Sequence, residues 1–352
     1  MWIETPVYKE DLDNISSCKS IDWTRFEGKT VLVTGATGLI GQTAIGAIIY
    51  ACEKHKVNVH ILAIVRNIEK ARQKFQEILI EHTNLKFIVS DICTLHKIDE
   101  KLDFIIHGAS ITASASFVNA PVETIKTTLN GTIGILEIAK NKDVEAMVYL
   151  SSMEAYGSPK VKHVLTENDV DYVNPLEIRS CYPESKRMAE NICVSYASEF
   201  NTNVKIARLA QTFGPGIEQN DSRVFAQFAR NAQCGDDIVL LTDGSSERMY
   251  VYTMDAVAAI ITILLSGTTA EAYNVANEKT YCSIKQMAEI ASEALKQEKK
   301  SSILIKPLDK TSLSKYPPNH YLYLDTSKIM ALGWRPLVSL PEMYQRMCAA
   351  IQ

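Results

Sequence analysis

The chain has 352 residues, with 37 basic against 41 acidic side chains for a net charge of −4, and 46% hydrophobic against 22% charged residues. This is an ordinary soluble globular composition that excludes disordered, collagen-like and repeat scaffolds, and its mild acidity lacks the basic face that nucleic-acid binding needs. No apolar run reaches the roughly 18 to 20 residues of a membrane span; the opening MWIETPVYKEDLDN carries acids where a secretory leader is basic and then apolar, so a cytoplasmic protein is expected.

Residues 1–28 precede the first strand and read as an extension holding a packed helix. From Lys29 onward, apolar runs rich in β-branched residues alternate with helical patterns. Strands are predicted at Thr30–Thr34, Val59–Val65, Phe87–Ser90, Phe104–His107, Ala146–Ser151 and Val204–Leu209, and helices at Gly41–His55, Ile68–Glu81, Val122–Asn141 and Pro183–Phe200. Nearly continuous apolar strands suit a parallel sheet buried on both faces. Alternation with helices implies a Rossmann-type, doubly wound α/β fold that binds its ligand at the carboxyl ends of the strands. After Leu209 the rhythm breaks. Residues 210–250 read as loop-rich, followed by a helix at Asp255–Leu265, a strand at Ala272–Val275 and a polar C-terminal region. The expected division is an extension (1–28), a dinucleotide-binding domain (29–209 plus about 251–278) and a smaller C-terminal substrate-binding lobe (210–250 and 279–352), the chain crossing back once. Eight dispersed cysteines without a CxxC pair read as reduced core thiols, and seven scattered histidines offer no metal-ligand spacing.

The first strand runs straight into TGATGLIG. Gly35 permits a tight turn, Gly38 lets backbone N–H groups approach a pyrophosphate, and Gly41 lets the following helix pack closely. That helix start offers free donors and a positive dipole end to phosphate. Three glycines alone mark only a turn; after a buried strand and before a helix they mark a dinucleotide site, lined by Gly35, Thr37, Gly38, Leu39, Ile40 and Gly41. The second strand ends Val65-Arg66-Asn67, without the acid that would hold a 2′-hydroxyl of NAD. Arg66 suits a bidentate grip on a 2′-phosphate, which favours NADP and leaves NAD possible; the alternative is a solvated arginine at a strand end.

Tyr182 and Lys186 stand four apart and share one helix face. A free phenol with pKa about 10 is a poor base at pH 7, short by about 4 kcal/mol. A lysine ammonium and an oxidised nicotinamide beside it favour the phenolate, which then takes a hydroxyl proton.

The GxxGxxG spacing resembles the short-chain dehydrogenase/reductase superfamily. Further matches are Asp91-Ile92, His107-Gly108-Ala109, the Ser151-Ser152 to Tyr156-Gly157 stretch, Tyr182 with Lys186, Arg208 with Phe213-Gly214-Pro215, and Leu332-Gly333-Trp334. Together they resemble the extended subclass that modifies nucleotide sugars, the epimerase/dehydratase family. The resemblance implies an enzyme that oxidises a nucleoside-diphosphate sugar at C4 and processes the keto sugar, as an epimerase, a dehydratase or, alternatively, a decarboxylase. An NADPH-consuming reductase and a cofactor sensor without chemistry remain competing readings. By resemblance Ser152 holds the reacting oxygen, Asp91, Ile92, Ala109 and Ser110 meet the cofactor, and Gln211, Arg223 and Arg248 meet the substrate diphosphate. Glu154 matches a position where a carboxylate removes the C5 proton, and two residues beyond Ser152 in an extended strand it is expected on the same face.

Residues 173–190 look most like UDP-glucuronate decarboxylases, yet Gly216 follows Pro215 where those enzymes have an arginine for the sugar carboxylate. Met153, Thr128 and Gln211 also depart from the family pattern. The helices Val122–Asn141 and Pro183–Phe200 resemble the family's dimer helices, and their apolar positions, which include Ile125, Leu129, Ile133, Leu136, Met188, Ile192 and Tyr196, are too many for one chain's sheet to cover, so a homodimer is expected.

Overall fold

A computed structural model describes residues 5–76, 84–295, 301–306 and 320–350. Its main sheet has seven parallel strands: β1 (Lys29–Thr34), β2 (Val59–Val65), β3 (Leu85–Val89), β4 (Phe104–His107), β5 (Ala146–Ser152), β7 (Val204–Leu209) and β11 (Ala272–Val275). Their order across the sheet is β11-β7-β5-β4-β1-β2-β3. The strand order reverses at β1, which pairs with β2 on one side and β4 on the other. That switch point opens a crevice beyond the carboxyl ends of the strands. All four residues of β4 and five of the first six of β2 are buried, because helices cover both faces.

The helices follow the predicted rhythm. Helix α1 (Pro6–Ser16) lies in the N-terminal extension, buries Tyr8, Leu12 and Ile15, and is capped by Thr5, whose hydroxyl accepts from the Tyr8 amide. Helix α2 (Leu39–Lys54) follows β1, and α3 (Ile68–Lys74) follows β2. The predicted helix 68–81 thus ends at Lys74, and residues 77–81 lie outside the described residues. After β4 come α4 (Ser114–Asn119) and α5 (Pro121–Lys142), and after β5 comes α6 (Cys181–Phe200), which packs along α5. These two helices leave Val122, Ile125, Ile133, Met188 and Val194 exposed. Leu136, one of the apolar positions named from sequence, is fully buried in its own chain's core, beneath β4 and β5.

The loop-rich reading of 210–250 is corrected. That stretch holds β8 (Gln211–Phe213), α7 (Val224–Cys234), β9 (Ile238–Leu240) and the start of β10 (Glu247–Tyr252). Short elements between glycines disguised themselves as turns; α7 is a strongly amphipathic helix whose buried face is Phe225, Ala226, Phe228, Ala229 and Ala232. Helix α8 (Thr253–Ser266) is buried nearly all round. The C-terminal region likewise holds α9 (Ile284–Ala294), α10 (Ser327–Ala331) and α11 (Leu340–Ala349). A second sheet, β12 (Asn277–Ser283), β10, β13 (Tyr321–Leu324) and β6 (Val164–Leu165), takes β6 from the middle of the chain. The chain therefore enters this second layer before β7 as well as after it, rather than crossing back once.

Candidate active site

The turn after β1 is built for close approach. Gly35 has φ +69°, and a Cβ on it would sit 2.8 Å from the Gly108 carbonyl, where β4 ends beside β1. A Cβ on Gly41 would lie 2.3 Å from the Gly35 carbonyl oxygen. Between them Gly38 caps α2 without a side chain. The Thr34 hydroxyl ties the two strand ends, accepting from the Gly108 and Ala109 amides at 3.2 and 3.1 Å. Its own proton goes to His107 Nδ1 at 2.7 Å. Burial, then the Lys186 charge, push His107 down to about 3, so it is a neutral strut. A backbone cradle that any side chain would fill, opening on a helix N-terminus, fits a dinucleotide pyrophosphate. Those residues would hold the nicotinamide dinucleotide, with Asp91 and Ile92 after β3 and Ala109 and Ser110 after β4 lining the same cleft.

That cleft is about 1010 Å³ and gathers every residue given a catalytic, cofactor or substrate role from sequence: the turn residues 35, 37–41, then Arg66, Asp91, Ile92, Ala109, Ser110, Ser152, Glu154, Tyr182, Lys186, Gln211, Arg223 and Arg248. Arg66 is exposed on the rim at the end of β2. Arg223 is held by Asp221, with Nη2 to Oδ2 at 2.6 Å. Arg248, on β10, has a buried Nε with no hydrogen-bond partner among the described residues. An orphaned guanidinium donor facing a cleft suits an anionic group of a ligand.

The chemistry-bearing side chains come from β5 and α6. Ser152 is the last residue of β5, and its hydroxyl accepts from the Glu154 amide at 3.2 Å. Tyr182 and Lys186 occupy the first turns of α6 on its buried face, with Glu190 one turn further. Glu190 accepts from Arg208 Nη2 at 2.7 Å and from the Ser151 hydroxyl, which anchors the helix to β5 and β7. Lys186 donates to the Leu150 carbonyl at 2.7 Å and stands 5.8 Å from the Tyr182 ring centre. Burial pushes Lys186 down to about 8. Burial first, then the Glu154 charge, hold Tyr182 well above the usual phenol range, while a hydrogen bond with Ser152 and the Arg179 and Arg223 charges act the other way. Phe117 stacks on Tyr182, with ring centres 4.3 Å apart and planes 11° from parallel.

Two sequence expectations change here. The backbone is extended only to Ser152; residues Met153–Tyr156 form a 3-10 turn. The same-face argument for Glu154 therefore fails, and it is the turn that swings Glu154 to the cleft wall. There its carboxylate meets Arg179, with Nη1 to Oε2 at 3.1 Å and Nη2 to Oε1 at 3.3 Å. Arg179 escaped the sequence reading; its place three residues before Tyr182 was the available signal. Phe117 and Glu218 were also missed, since only the fold brings them to the cleft. Gly216 takes φ +92°, a conformation that an arginine would adopt only under strain, so the departure after Gly-Pro is built into the backbone. Thr128 bonds the Thr124 carbonyl of its own helix at 2.9 Å and lies 3.4 Å from the Ser110 hydroxyl.

Residues 31–276 match the model of the NAD dependent epimerase/dehydratase family. The chain is 30% identical over 316 residues to UDP-glucuronic acid decarboxylase 6 of Arabidopsis thaliana, covering 89% of this chain and 85% of that protein. It is 29% identical over 314 residues to UDP-glucuronic acid decarboxylase 1 of Xenopus tropicalis, covering 89% and 70% respectively. The fold is shared with an epimerase from Methanothermobacter thermautotrophicus, with a TM-score of 0.79 at 21% identity over 98% of this chain and 96% of that one.

Proposed function

The chain belongs to the NAD dependent epimerase/dehydratase family, and from that membership we propose that it oxidises a nucleoside-diphosphate sugar at C4, acts on the 4-keto sugar and returns the hydride. The observation that carries this reading is the convergence of Ser152, Tyr182 and Lys186 with the glycine turn in one cleft. When bound, the nicotinamide supplies a hydride acceptor and later a donor. Ser152 holds the C4 oxygen, Tyr182 takes its proton, and the Lys186 ammonium favours the phenolate that results. Glu154, on the same wall, removes the C5 proton once C4 is a ketone. Arg248, with Arg223 and Gln211, receives the diphosphate.

Finer features belong to the same proposal. Arg66, on the rim without an acid beside it, favours NADP within a family named for NAD. The exposed apolar side chains of α5 and α6 support a homodimer, which a strictly monomeric mass at micromolar concentration would exclude. The two-lobe division of 29–209 with 251–278 against 210–250 with 279–352 is retained, with β6 lending its two residues to the second sheet.

A second reading, decarboxylation of a sugar carboxylate, is favoured by the sequence relatives and opposed by Gly216. Product masses from a panel of nucleoside-diphosphate sugars decide. Loss of water or an unchanged mass supports the first reading, loss of carbon dioxide the second, and no turnover of any sugar overturns both.

A further inference from the structure

Glu154 and Arg179 form a closed pair at the wall of the cleft, each side chain a little over one-quarter exposed. Their segments flank the reacting group: the 3-10 turn leaving β5 carries Glu154, and the turn Ile178–Ser180 leading into α6 carries Arg179. Arg179 also rests its guanidinium 5.7 Å from the Phe117 ring centre, and Phe117 is the ring stacked on Tyr182. One cation thus touches both the carboxylate and the aromatic plate that border Tyr182. We propose that Arg179 is a positioning residue for Tyr182, holding Glu154 in a closed ion pair so that the carboxylate stands ready at the sugar while the arginine offsets part of its charge at the phenol.

This rests on Tyr182 as the base at C4, but it concerns a property of Tyr182 measurable without substrate or cofactor. The charged or titratable groups around Tyr182 are Glu154 from the turn after β5, Arg179 from its own approach, Arg223 from the start of α7, Lys186 from α6 and Tyr149 from β5. Arg223 is already engaged by Asp221 and Lys186 by the Leu150 carbonyl, and Tyr149 is buried. Glu154 is the anion of this set, so the phenol's ionisation depends on whether Arg179 compensates it. In the low-dielectric surroundings of a buried phenol an uncompensated charge several ångströms away is felt strongly.

The experiment places 3,5-difluorotyrosine, whose phenol is more acidic than tyrosine's, at position 182 and follows its ionisation by fluorine NMR in the full chain. Arg179→Gln should make the phenol about tenfold harder to ionise, and Glu154→Gln about tenfold easier. The double variant should return close to the native midpoint, because neither charge then remains. Arg179→Lys keeps the charge and should stay near native, which a purely structural role for the arginine would not predict. A thermal melt of each variant establishes that it folds. An Arg179→Gln midpoint that is unmoved or lower, or a double variant that keeps the single variant's shift, overturns the proposal. If no nucleoside-diphosphate sugar turns over, the functional reading fails while this titration still decides the role of Arg179.

Discussion

In the proposed reaction, Glu154 is the residue on which the outcome turns. A C4 ketone acidifies the C5 proton, and a carboxylate in reach can remove it. Glu154→Gln keeps the side-chain shape but cannot accept that proton. It should still reduce bound cofactor on adding the right sugar nucleotide, while deuterium exchange at C5 falls by at least about 10²-fold, the usual worth of a general base. Mass spectrometry of recovered sugar reads this, and unchanged exchange would make Glu154 a bystander. Arg66 carries the second residue-scale prediction. With no acid at the end of β2, Arg66→Ala should weaken NADP far more than NAD, by about 1.5 to 3 kcal/mol for lost charged hydrogen bonds. Equal loss for both cofactors in binding titrations would count against a 2′-phosphate contact. Sequence pattern singled out Arg66 from the end of a strand and Glu154 from its place in a family motif. It missed Arg179, whose partner lies 25 positions away along the chain and comes near only when α6 docks on β5.

At the scale of elements, the turn joining β1 to α2 is the least forgiving part of the molecule. Gly41 faces backbone, which cannot swing aside as a flexible side chain would, and the 2.3 Å approach of an added Cβ demands that the helix move. Gly41→Ala should destabilise the fold by about 1 to 3 kcal/mol, as overpacking does, and should weaken cofactor binding with it, because the helix start that faces the phosphates is displaced. Urea unfolding and a cofactor titration measure the two effects; a variant with native stability and affinity would mean that α2 shifts freely. The strands of the main sheet were legible within two residues at their starts, since burial on both faces writes a continuous apolar run. Helix α7 was not. Its 11 residues follow two glycines and a proline, and its apolar face is made largely of alanines.

At the scale of the whole molecule, α1 is fastened to the far end of the chain. Arg346 of α11 donates to Asp11 Oδ1 at 3.1 Å and to Glu10 at 2.7 Å, and the Tyr252 hydroxyl donates to Asp11 Oδ2. Burial pushes Asp11 up to about 7 and Asp255 up to about 6. For Asp11 the nearby Asp255 and Glu10 charges add to burial, while the Tyr252 hydrogen bond and Arg346 oppose it. Both carboxyls have folded pKa values above their unfolded ones, near about 4, so the folded chain binds more protons in that window. Their stabilising contribution is full below about pH 4 and is lost as pH rises through about 6 to 7. Asp11→Asn should therefore flatten the fall in urea midpoint between pH 5 and 8, even if it lowers the midpoint overall. Parallel pH dependences for the two proteins would show that Asp11 does not titrate in this range.

The sequence by itself determined the doubly wound sheet, the glycine turn and the pairing of Tyr182 with Lys186, because each is written in short-range spacing: continuous apolar strands, a GxxGxxG turn, a helical four-residue step. Tertiary structure alone decided which charges meet. It paired Glu154 with Arg179, left the Arg248 Nε without a partner among the described residues, and drew β6 into the second sheet. These outcomes depend on distances between segments remote in sequence and on burial that strengthens charge interactions, and no local spacing records either.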